Sequence, residues 1–172
     1  MRLVIVGAGG YGRVIAEIAD SMNIYSEICF LDDNSLDKRV IGKCGQFADF
    51  VNSNTEFYVA FGANESRLHW INKLLEKGAT IATIIDKSAY ISPSVTIGIG
   101  SAVLPKAVVN TNCVINKGVI VNCGAVIDHD CIIGEGTHIC LNTVIKAENA
   151  IPALVKIDAG VVIENRQYPI KN

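Results

Sequence analysis

The feature that most constrains this chain is a six-residue repeat of branched aliphatic side chains in its C-terminal half. Every sixth residue from Ile85 to Ile163 is Ile or Val, without an exception. This period fits neither an amphipathic helix, which repeats about every 3.6 residues, nor a half-buried strand, which repeats every second residue. It predicts a solenoid whose backbone turns a corner every six residues and buries one branched side chain each time.

The segments between the repeated positions have the composition of tight corners. Glycine and asparagine, as in Ile97-Gly98-Ile99-Gly100 and Ile133-Gly134-Glu135-Gly136, tolerate the positive φ angles that such corners need. Three hexads would form one coil of a triangular prism, so the run predicts roughly four to five coils stacked about 4.8 Å apart. The repeat weakens at Asn149 and Pro152, so we expect a loop or a loosened corner over residues 149–155 and a cap or a partner over the last coil.

The first half of the chain, residues 1–84, has a different pattern in which strands alternate with helices. This alternation predicts a parallel sheet with right-handed crossovers, and therefore an α/β Rossmann-like half-domain followed by the hexad domain of residues 85–172. The second helix is expected to be capped by Asn64 and ended by Gly78. The expected strands are Arg2–Val6, Glu27–Leu31, Glu56–Phe61 and Ala79–Ile85, and the expected helices are Tyr11–Met22 and Glu65–Glu76.

Composition and charge exclude several classes of function. A formal net charge of -2 gives no basic surface of the kind that binds nucleic acid. The chain has no apolar run near the ~18 residues that span a bilayer, and its start reaches glycine too early for a signal peptide, so we expect a cytoplasmic protein without membrane insertion. The six cysteines form no C-x-x-C pair, which speaks against structural zinc. Cys113 and Cys131 are expected to stack in the core as reduced thiols, because they lie one coil apart.

One of the three histidines has an environment suited to chemistry. His69 falls on the predicted second helix, where a surface position is expected, and His138 falls in the hexad domain. His129 lies between Asp128 and Asp130 at a corner of the solenoid. A carboxylate that accepts a hydrogen bond from an imidazole fixes its tautomer and raises its basicity, which is what a general base needs near neutral pH. From these residues alone, a solvent-exposed histidine in a polar turn remains the other interpretation.

A resemblance to a known family decides between these interpretations. The order of the two halves, the glycine-rich start and the stretch 121–134, VNCGAVIDHDCIIG, resemble the hexapeptide-repeat sugar O- and N-acetyltransferases related to sialic acid O-acetyltransferase and to UDP-4-amino-sugar acetyltransferases. The resemblance covers nearly the whole chain. It implies a left-handed parallel β-helix, acetyl-CoA as co-substrate, a UDP-sugar or sialic-acid-like acceptor, and a homotrimer. Because His129 and His138 are half a coil apart, they should lie on different parts of one prism, and we expect the active site to lie between neighbouring prisms of the trimer.

The same resemblance assigns roles to residues of the hexad domain. His129 would be the base that deprotonates the acceptor, Asp130 would orient its ring, and His138 and Gly160 would contribute to acetyl-CoA binding. Because a thioester is already activated, no metal and no covalent intermediate is required. A cysteine nucleophile is not expected, since Cys131 should point into the core and Cys123 should lie on a different corner from His129.

The glycine-rich start predicts a second site. Gly7-Ala8-Gly9-Gly10-Tyr11-Gly12 places a G-x-G-x-x-G motif between a strand and a helix, where backbone N–H groups suit phosphate. Asp32 ends the second strand and suits a ribose contact, so a dinucleotide site is one interpretation and plain tight packing of the glycines is another. By the resemblance, this region would bind the nucleotide-sugar acceptor. The residues expected to line that pocket are Gly9, Gly10, Tyr11, Asp32, Asp33 and Gly62.

Two further classes of function are considered beside the acetyltransferase. A non-catalytic nucleotide-sugar-binding or assembly protein with a shortened β-helix is suggested by the segment 151–172, which departs from the family's usual glycine-rich ending. A hexapeptide-repeat carbonic anhydrase would need three imidazoles on a metal, whereas only two histidines lie in the hexad domain. The acceptor sugar, and whether nitrogen or oxygen is acetylated, stay open at this level.

Overall fold

The computed structural model describes residues 1–170 and divides into two compact units, Met1–Ile84 and a second unit that begins at Ile85. The first unit is a parallel five-stranded sheet in the order β3-β2-β1-β4-β5 with two α-helices and one 3-10 helix. The central strand β1 is almost wholly buried, as expected of a parallel strand covered on both faces. The elements are β1 Arg2–Val6, α1 Gly10–Ser21, β2 Glu27–Leu31, β3 Val40–Gly42, the 3-10 helix Cys44–Phe50, β4 Thr55–Val59, α2 Asn64–Glu76 and β5 Thr80–Ile81.

The first unit confirms the predicted alternation and corrects its details. β1 and β2 have the expected bounds, whereas β3 and the 3-10 helix were not predicted because their sequences lack a clear period. The predicted cap at Asn64 is wrong. Ala63 precedes α2 without a side-chain cap, and Asn64 is the first helical residue, whose Oδ1 accepts a hydrogen bond from Arg67 at 2.9 Å. Gly78 follows the helix with a φ of 75°, so this predicted end is confirmed.

The second unit is a three-sided parallel β-helix built from two-residue strands. The strands form three sheets in the orders β18-β15-β12-β9-β6, β19-β16-β13-β10-β7 and β17-β14-β11-β8, so each pairs with the strand three places along the chain. The predicted strand over 79–85 therefore divides into β5 of the first sheet and β6 of the β-helix. The strands are β6 Ile84–Ile85, β7 Tyr90–Ile91, β8 Thr96–Ile97, β9 Ala102–Val103, β10 Val108–Val109, β11 Val114–Ile115, β12 Ile120–Val121, β13 Val126–Ile127, β14 Ile132–Ile133, β15 His138–Ile139, β16 Val144–Ile145, β17 Ala150–Ile151, β18 Lys156–Ile157 and β19 Val162–Ile163.

The repeated aliphatic residues fill the interior of the coil, as the six-residue period predicts. All of them from Val103 to Ile163 are buried, and Cys113 and Cys131 are buried among them as free thiols. The register between strands is set by the 18-residue coil. Val109, for example, pairs with Ile127, and Ile127 pairs with Ile145. Each coil therefore places side chains at the same hexad position directly above those of the coil before it.

The predicted loop over 149–155 is wrong, because the β-helix continues through it as β17. Asn149 takes a core position, and its buried amide donates to the carbonyls of Lys146 at 2.8 Å and Glu164 at 2.9 Å. These bonds satisfy a polar group that would otherwise be costly to bury. The chain then folds back over this coil, where Ala150 N–H donates to the Tyr168 carbonyl at 2.7 Å and Asn149 forms an antiparallel bridge with Pro169.

Candidate active site

His129 forms a short hydrogen bond with the residue that follows it, on an outer edge of the β-helix. Its Nδ1 lies 2.6 Å from Oδ2 of Asp130, and the two side chains are 50% and 45% exposed. A carboxylate only accepts, so Nδ1 carries the proton and donates it. In the neutral ring the lone pair is then on Nε2, which is the atom that a general base uses.

The electrostatic surroundings of His129 increase its basicity. The hydrogen bond that His129 donates to Asp130 raises the pKa of His129 above its ordinary value of 6.5, and the charges of Asp128, Asp130 and Glu148 act in the same direction. The pKa of Asp130 is correspondingly lowered, first by His129 and then by a hydrogen bond from Asn112. Both side chains are about half exposed, so this His129–Asp130 dyad is expected to contribute little to stability.

Asp130 belongs to a column of stacked corner residues that all have left-handed backbones. The column consists of Asn112, Asp130, Glu148 and Arg166, with φ angles of 58°, 56°, 59° and 55°, and is called the Asp130 column below. Side chains in this conformation cost free energy that glycine would avoid, of order 1–2 kcal/mol per residue. Within the column Asn112 Nδ2 donates to Asp130 Oδ1 at 3.1 Å, and Arg166 donates to the Glu148 carboxylate.

Groups behind the dyad tie its backbone to the adjacent coils. Asp130 N–H donates to the Thr111 carbonyl at 2.9 Å, and the His129 carbonyl accepts from Glu148 N–H at 3.2 Å. In the core, the Cys113 thiol donates to the Asp128 carbonyl at 2.9 Å. The corner that carries the imidazole is therefore held from the coil below, from the coil above and from the interior.

His138 lies on a face of the β-helix rather than on the edge of His129. It is the first residue of β15 and is half-buried. Its Nε2 lies 3.0 Å from Nδ2 of Asn122, whose Oδ1 accepts from Cys123 N–H at 2.8 Å. Because Oδ1 of Asn122 already accepts this hydrogen bond, the NH₂ group of Asn122 donates to Nε2 of His138. The proton of the neutral His138 ring is then on Nδ1. The role of His138 toward acetyl-CoA stays a prediction.

Gly160 occupies a corner in which a side chain would meet open space. Its φ is 72°, and a Cβ atom placed on it would have nothing within 4 Å. Its N–H donates to the Leu141 carbonyl of the coil below at 2.9 Å. Glycine is thus favoured here by the backbone angle, while the space around it is free for a ligand to approach closely.

In the first unit, all three glycines predicted to line the acceptor pocket are exposed. Gly9 precedes α1 without a side-chain cap, Gly10 is the first helical residue, and Gly62 follows β4. Added Cβ atoms at Gly9 and Gly62 would have nothing within 4 Å. Gly12 differs, because its Cβ would lie 2.0 Å from the Gly7 carbonyl oxygen, so this glycine serves the packing of α1 on the loop.

The two aspartates after β2 accept hydrogen bonds from backbone N–H groups of neighbouring segments. Asp32 Oδ2 accepts from Ala8 N–H at 2.8 Å, and its Oδ1 accepts from the N–H groups of Asn34 and Ser35. Burial raises the pKa of Asp32, but these three donors outweigh it and the pKa lies below its ordinary value. Asp33 Oδ1 accepts from Cys44 N–H at 3.0 Å. Asp32 thus holds the glycine-rich loop and Asp33 holds the start of the 3-10 helix, and contact with a ligand stays a prediction for both.

Tyr11 points its hydroxyl into the protein. The hydroxyls of Tyr11 and Tyr58 are 2.6 Å apart, and burial raises the pKa of Tyr58 to about 12. Next to them the fully buried Arg67 donates to the Phe61 carbonyl at 2.9 Å and to the Gly62 carbonyl at 3.4 Å. The sequence did not indicate Arg67, because an arginine within a helix is ordinarily placed at the surface.

A cavity of about 430 Å³ lies beside the upper end of the Asp130 column. It is lined by Glu148, Arg166, Pro169 and Ile170.

Within residues 1–170, no group of three His, Cys, Asp or Glu side chains is arranged to hold a metal ion. In the same range, the structure has no helix that is both long and apolar enough to cross a membrane.

The three-sided coil of stacked two-residue strands is the architecture that the sequence resemblance predicts. Residues 2–74 match the profile of the PglD N-terminal domain family. The acetyltransferase domain of PglB from Neisseria gonorrhoeae FA1090 is 28% identical, with a TM-score of 0.71 over 93% of this chain and 92% of that chain. The chain is therefore similar, over nearly its whole length, to the hexapeptide-repeat sugar acetyltransferases that the sequence predicted.

Two further structures extend this comparison. The same PglB domain in complex with acetyl coenzyme A is 28% identical, with a TM-score of 0.70 over 94% of both chains. PerB from Caulobacter crescentus, in complex with CoA and GDP-perosamine, is 24% identical, with a TM-score of 0.72 over 95% of this chain and 92% of that chain. These likenesses confirm the fold class, a Rossmann-like half-domain followed by a left-handed parallel β-helix.

Proposed function

We propose that this protein transfers the acetyl group of acetyl-CoA to an amino or hydroxyl group of a nucleotide-linked sugar, with His129 as general base. The observation that carries the proposal is the 2.6 Å bond between His129 Nδ1 and Asp130, which leaves Nε2 as a basic atom on an exposed edge. The likeness to the PglB acetyltransferase domain, which was solved with acetyl coenzyme A, supports acetyl-CoA as the co-substrate.

The mechanism requires one base and an activated acyl donor. His129 Nε2 takes a proton from the acceptor nitrogen or oxygen while that atom attacks the thioester carbonyl carbon. The tetrahedral intermediate collapses, the C–S bond breaks, and the CoA thiolate leaves and takes the proton back from the imidazole. Asp130 stabilises the imidazolium that forms in between and keeps the ring in the tautomer that the reaction needs.

The first unit is proposed to bind the nucleotide part of the acceptor. Backbone N–H groups at Gly9, Gly10 and Tyr11 open the uncapped N-terminus of α1, where the helix dipole favours phosphate oxygens. UDP-linked amino sugars are the acceptors that the sequence resemblance suggests. PerB, which shares the fold, was solved with GDP-perosamine.

The acetyl-transfer site is proposed to be completed by a neighbouring copy in a homotrimer. His129 lies on an edge of the β-helix and His138 on a face, so one chain does not present both rings to the same point of its surface. Copies packed side by side would bring an edge of one against a face of the next. Light scattering that shows a fully active monomer would contradict this arrangement.

A panel assay tests the function directly. The protein is incubated with acetyl-CoA and a set of UDP- and GDP-linked amino sugars or free sialic acid, and acetylated product is measured by mass spectrometry. His129→Asn is expected to lower kcat by roughly 10²- to 10⁴-fold, the range of general-base catalysis. His69→Asn, at an exposed position of α2, is the matched control and should leave kcat unchanged. Equal rates for both variants and the unaltered protein would refute the role of His129.

Acetyl-CoA binding separates this proposal from a non-catalytic binding or assembly protein. The alignments cover at least 92% of the PglB acetyltransferase domain chains, which weighs against a β-helix shortened relative to that domain. Calorimetry should show saturable binding of acetyl-CoA. If nucleotide sugars bound and acetyl-CoA did not, the non-catalytic alternative would be favoured.

A further inference from the structure

The dyad rests on a triplet of residues from the preceding coil, in strict register. Asn110, Thr111 and Asn112 lie 18 residues before Asp128, His129 and Asp130, which is one full coil. Both acidic residues beside the imidazole accept a hydrogen bond from the asparagine directly below. Asn110 Nδ2 donates to Asp128 Oδ1 at 3.3 Å, and Asn112 Nδ2 donates to Asp130 Oδ1 at 3.1 Å.

The two oxygens of Asp130 therefore have different partners. Oδ2 accepts from His129 Nδ1 and Oδ1 accepts from Asn112 Nδ2. A carboxylate on an exposed edge is otherwise free to rotate about its side-chain bonds. With both oxygens engaged, rotation breaks two hydrogen bonds at once. The carboxylate is thereby held in the plane that points Oδ2 at the imidazole.

Asn112 is itself anchored, so the hold on Asp130 originates in the coil below. Its backbone N–H donates to Ser94 Oγ at 2.9 Å, and its φ of 58° fixes the direction in which the amide leaves the corner. An amide is also the suitable chemical group at this place. It donates to a carboxylate without carrying a charge and without competing for the imidazole proton.

We propose that Asn112 is a positioning residue, which sets the orientation of the Asp130 carboxylate and, through it, the tautomer of His129. This role rests on the proposed function, since it matters for turnover only if His129 is the base. Asn112 lies one coil away from the reacting atoms and acts entirely through Asp130. Asn110 holds Asp128 in the parallel way, and Asp128 in turn accepts from the His129 backbone N–H at 2.8 Å.

The left-handed backbone of Asn112 permits a clean test. Asn112→Gly deletes the donor and suits the φ angle, so the fold should be retained. Asn112→Asp keeps the shape and replaces the donor with a carboxylate that repels Asp130. Asn142, an exposed corner residue with a φ of 53°, occupies the equivalent hexad position on another edge. Asn142→Gly and Asn142→Asp are the matched controls.

Two readouts distinguish positioning from a merely structural role. Asn112→Gly is expected to lower kcat about 10-fold and to leave the KM of acetyl-CoA unchanged, because the hydrogen bond behind the orienting carboxylate is lost. Asn112→Asp is expected to lower kcat further. In ¹⁵N NMR spectra, the fraction of His129 protonated at Nδ1 in the neutral ring should fall in both variants. The Asn142 variants should change neither quantity.

The NMR measurement does not depend on turnover, so the two proposals fail separately. An unchanged His129 tautomer in both Asn112 variants would overturn the positioning role, whatever the activity. A shifted tautomer together with an acetyltransferase activity that survives His129→Asn would uphold the positioning role as a structural fact and refute the proposed function.

Discussion

The spacing of the coils around Gly134 leads to a quantitative prediction. An ideal Cβ atom at Gly134 would lie 2.3 Å from the backbone nitrogen of Ala153 and 2.6 Å from the carbonyl carbon of Pro152, both in the next coil. These are backbone atoms, so neither can turn aside. Relief requires the two coils to separate locally by about 1 Å, since ordinary carbon contacts begin near 3.5 Å.

That separation stretches the hydrogen bonds that join the coils at this corner. Gly134 N–H donates to the Ile151 carbonyl at 2.9 Å, and Leu154 N–H donates to the Glu135 carbonyl at 2.8 Å. Overpacking costs about 1–3 kcal/mol, and two weakened hydrogen bonds add about 1 kcal/mol each. Gly134→Ala should therefore lower the free energy of unfolding by roughly 3–5 kcal/mol.

Gly160→Ala is the matched control, because an alanine there has an unfavourable left-handed φ angle but makes no steric clash. An added Cβ there meets nothing within 4 Å, and only the φ of 72° opposes it, at a cost of about 1–2 kcal/mol. Urea unfolding followed by circular dichroism gives both free energies. If Gly134→Ala cost no more than Gly160→Ala, the coils would be able to separate freely, and the argument from backbone contact would be refuted.

Two further predictions concern the candidate sites. Because the hydrogen bond that His129 donates to Asp130 raises the pKa of His129 above 6.5, and the base must be unprotonated, the acid limb of kcat/KM should lie above pH 6.5. Asp130→Asn should move it to lower pH while reducing the rate. A pH profile from about pH 5 to 9 measures both, and a limb that stayed in place would contradict the dyad. Asp32→Ala removes the acceptor of three backbone N–H groups beside the glycine-rich loop, so the KM of the nucleotide sugar should rise. If only the KM of acetyl-CoA changed, the assignment of the two substrates to the two units would be reversed.

The β-helix was predictable because its period follows directly from its geometry. One inward side chain per six residues has no other simple structural explanation, and the stacking of Cys113 on Cys131 followed from the 18-residue coil. The prediction failed at Asn149, where a polar residue suggested a loop. The sequence alone could not show that carbonyls of two successive coils converge on this amide and satisfy it inside the core.

The candidate dyad was also predictable, since its two members are adjacent in sequence. Asn112 was missed, although the 18-residue coil that places it beneath Asp130 was already known. The signal was the 18-residue spacing between residues 110–112, NTN, and residues 128–130, DHD. This spacing places each asparagine one coil below an aspartate. Arg67 gave no such signal, because its burial depends on how α2 packs in the folded unit.

The reversed pairing of Asn149 with Pro169 has a consequence for self-association. A parallel β-helix ends in exposed strand edges that invite another chain to continue the stack, which is a route to fibres. On the face that ends in β17, the next place in the stack is taken by a segment running in the opposite direction. A second molecule could not add a parallel strand to this face without first displacing that segment, so one of the three faces is protected against end-to-end pairing.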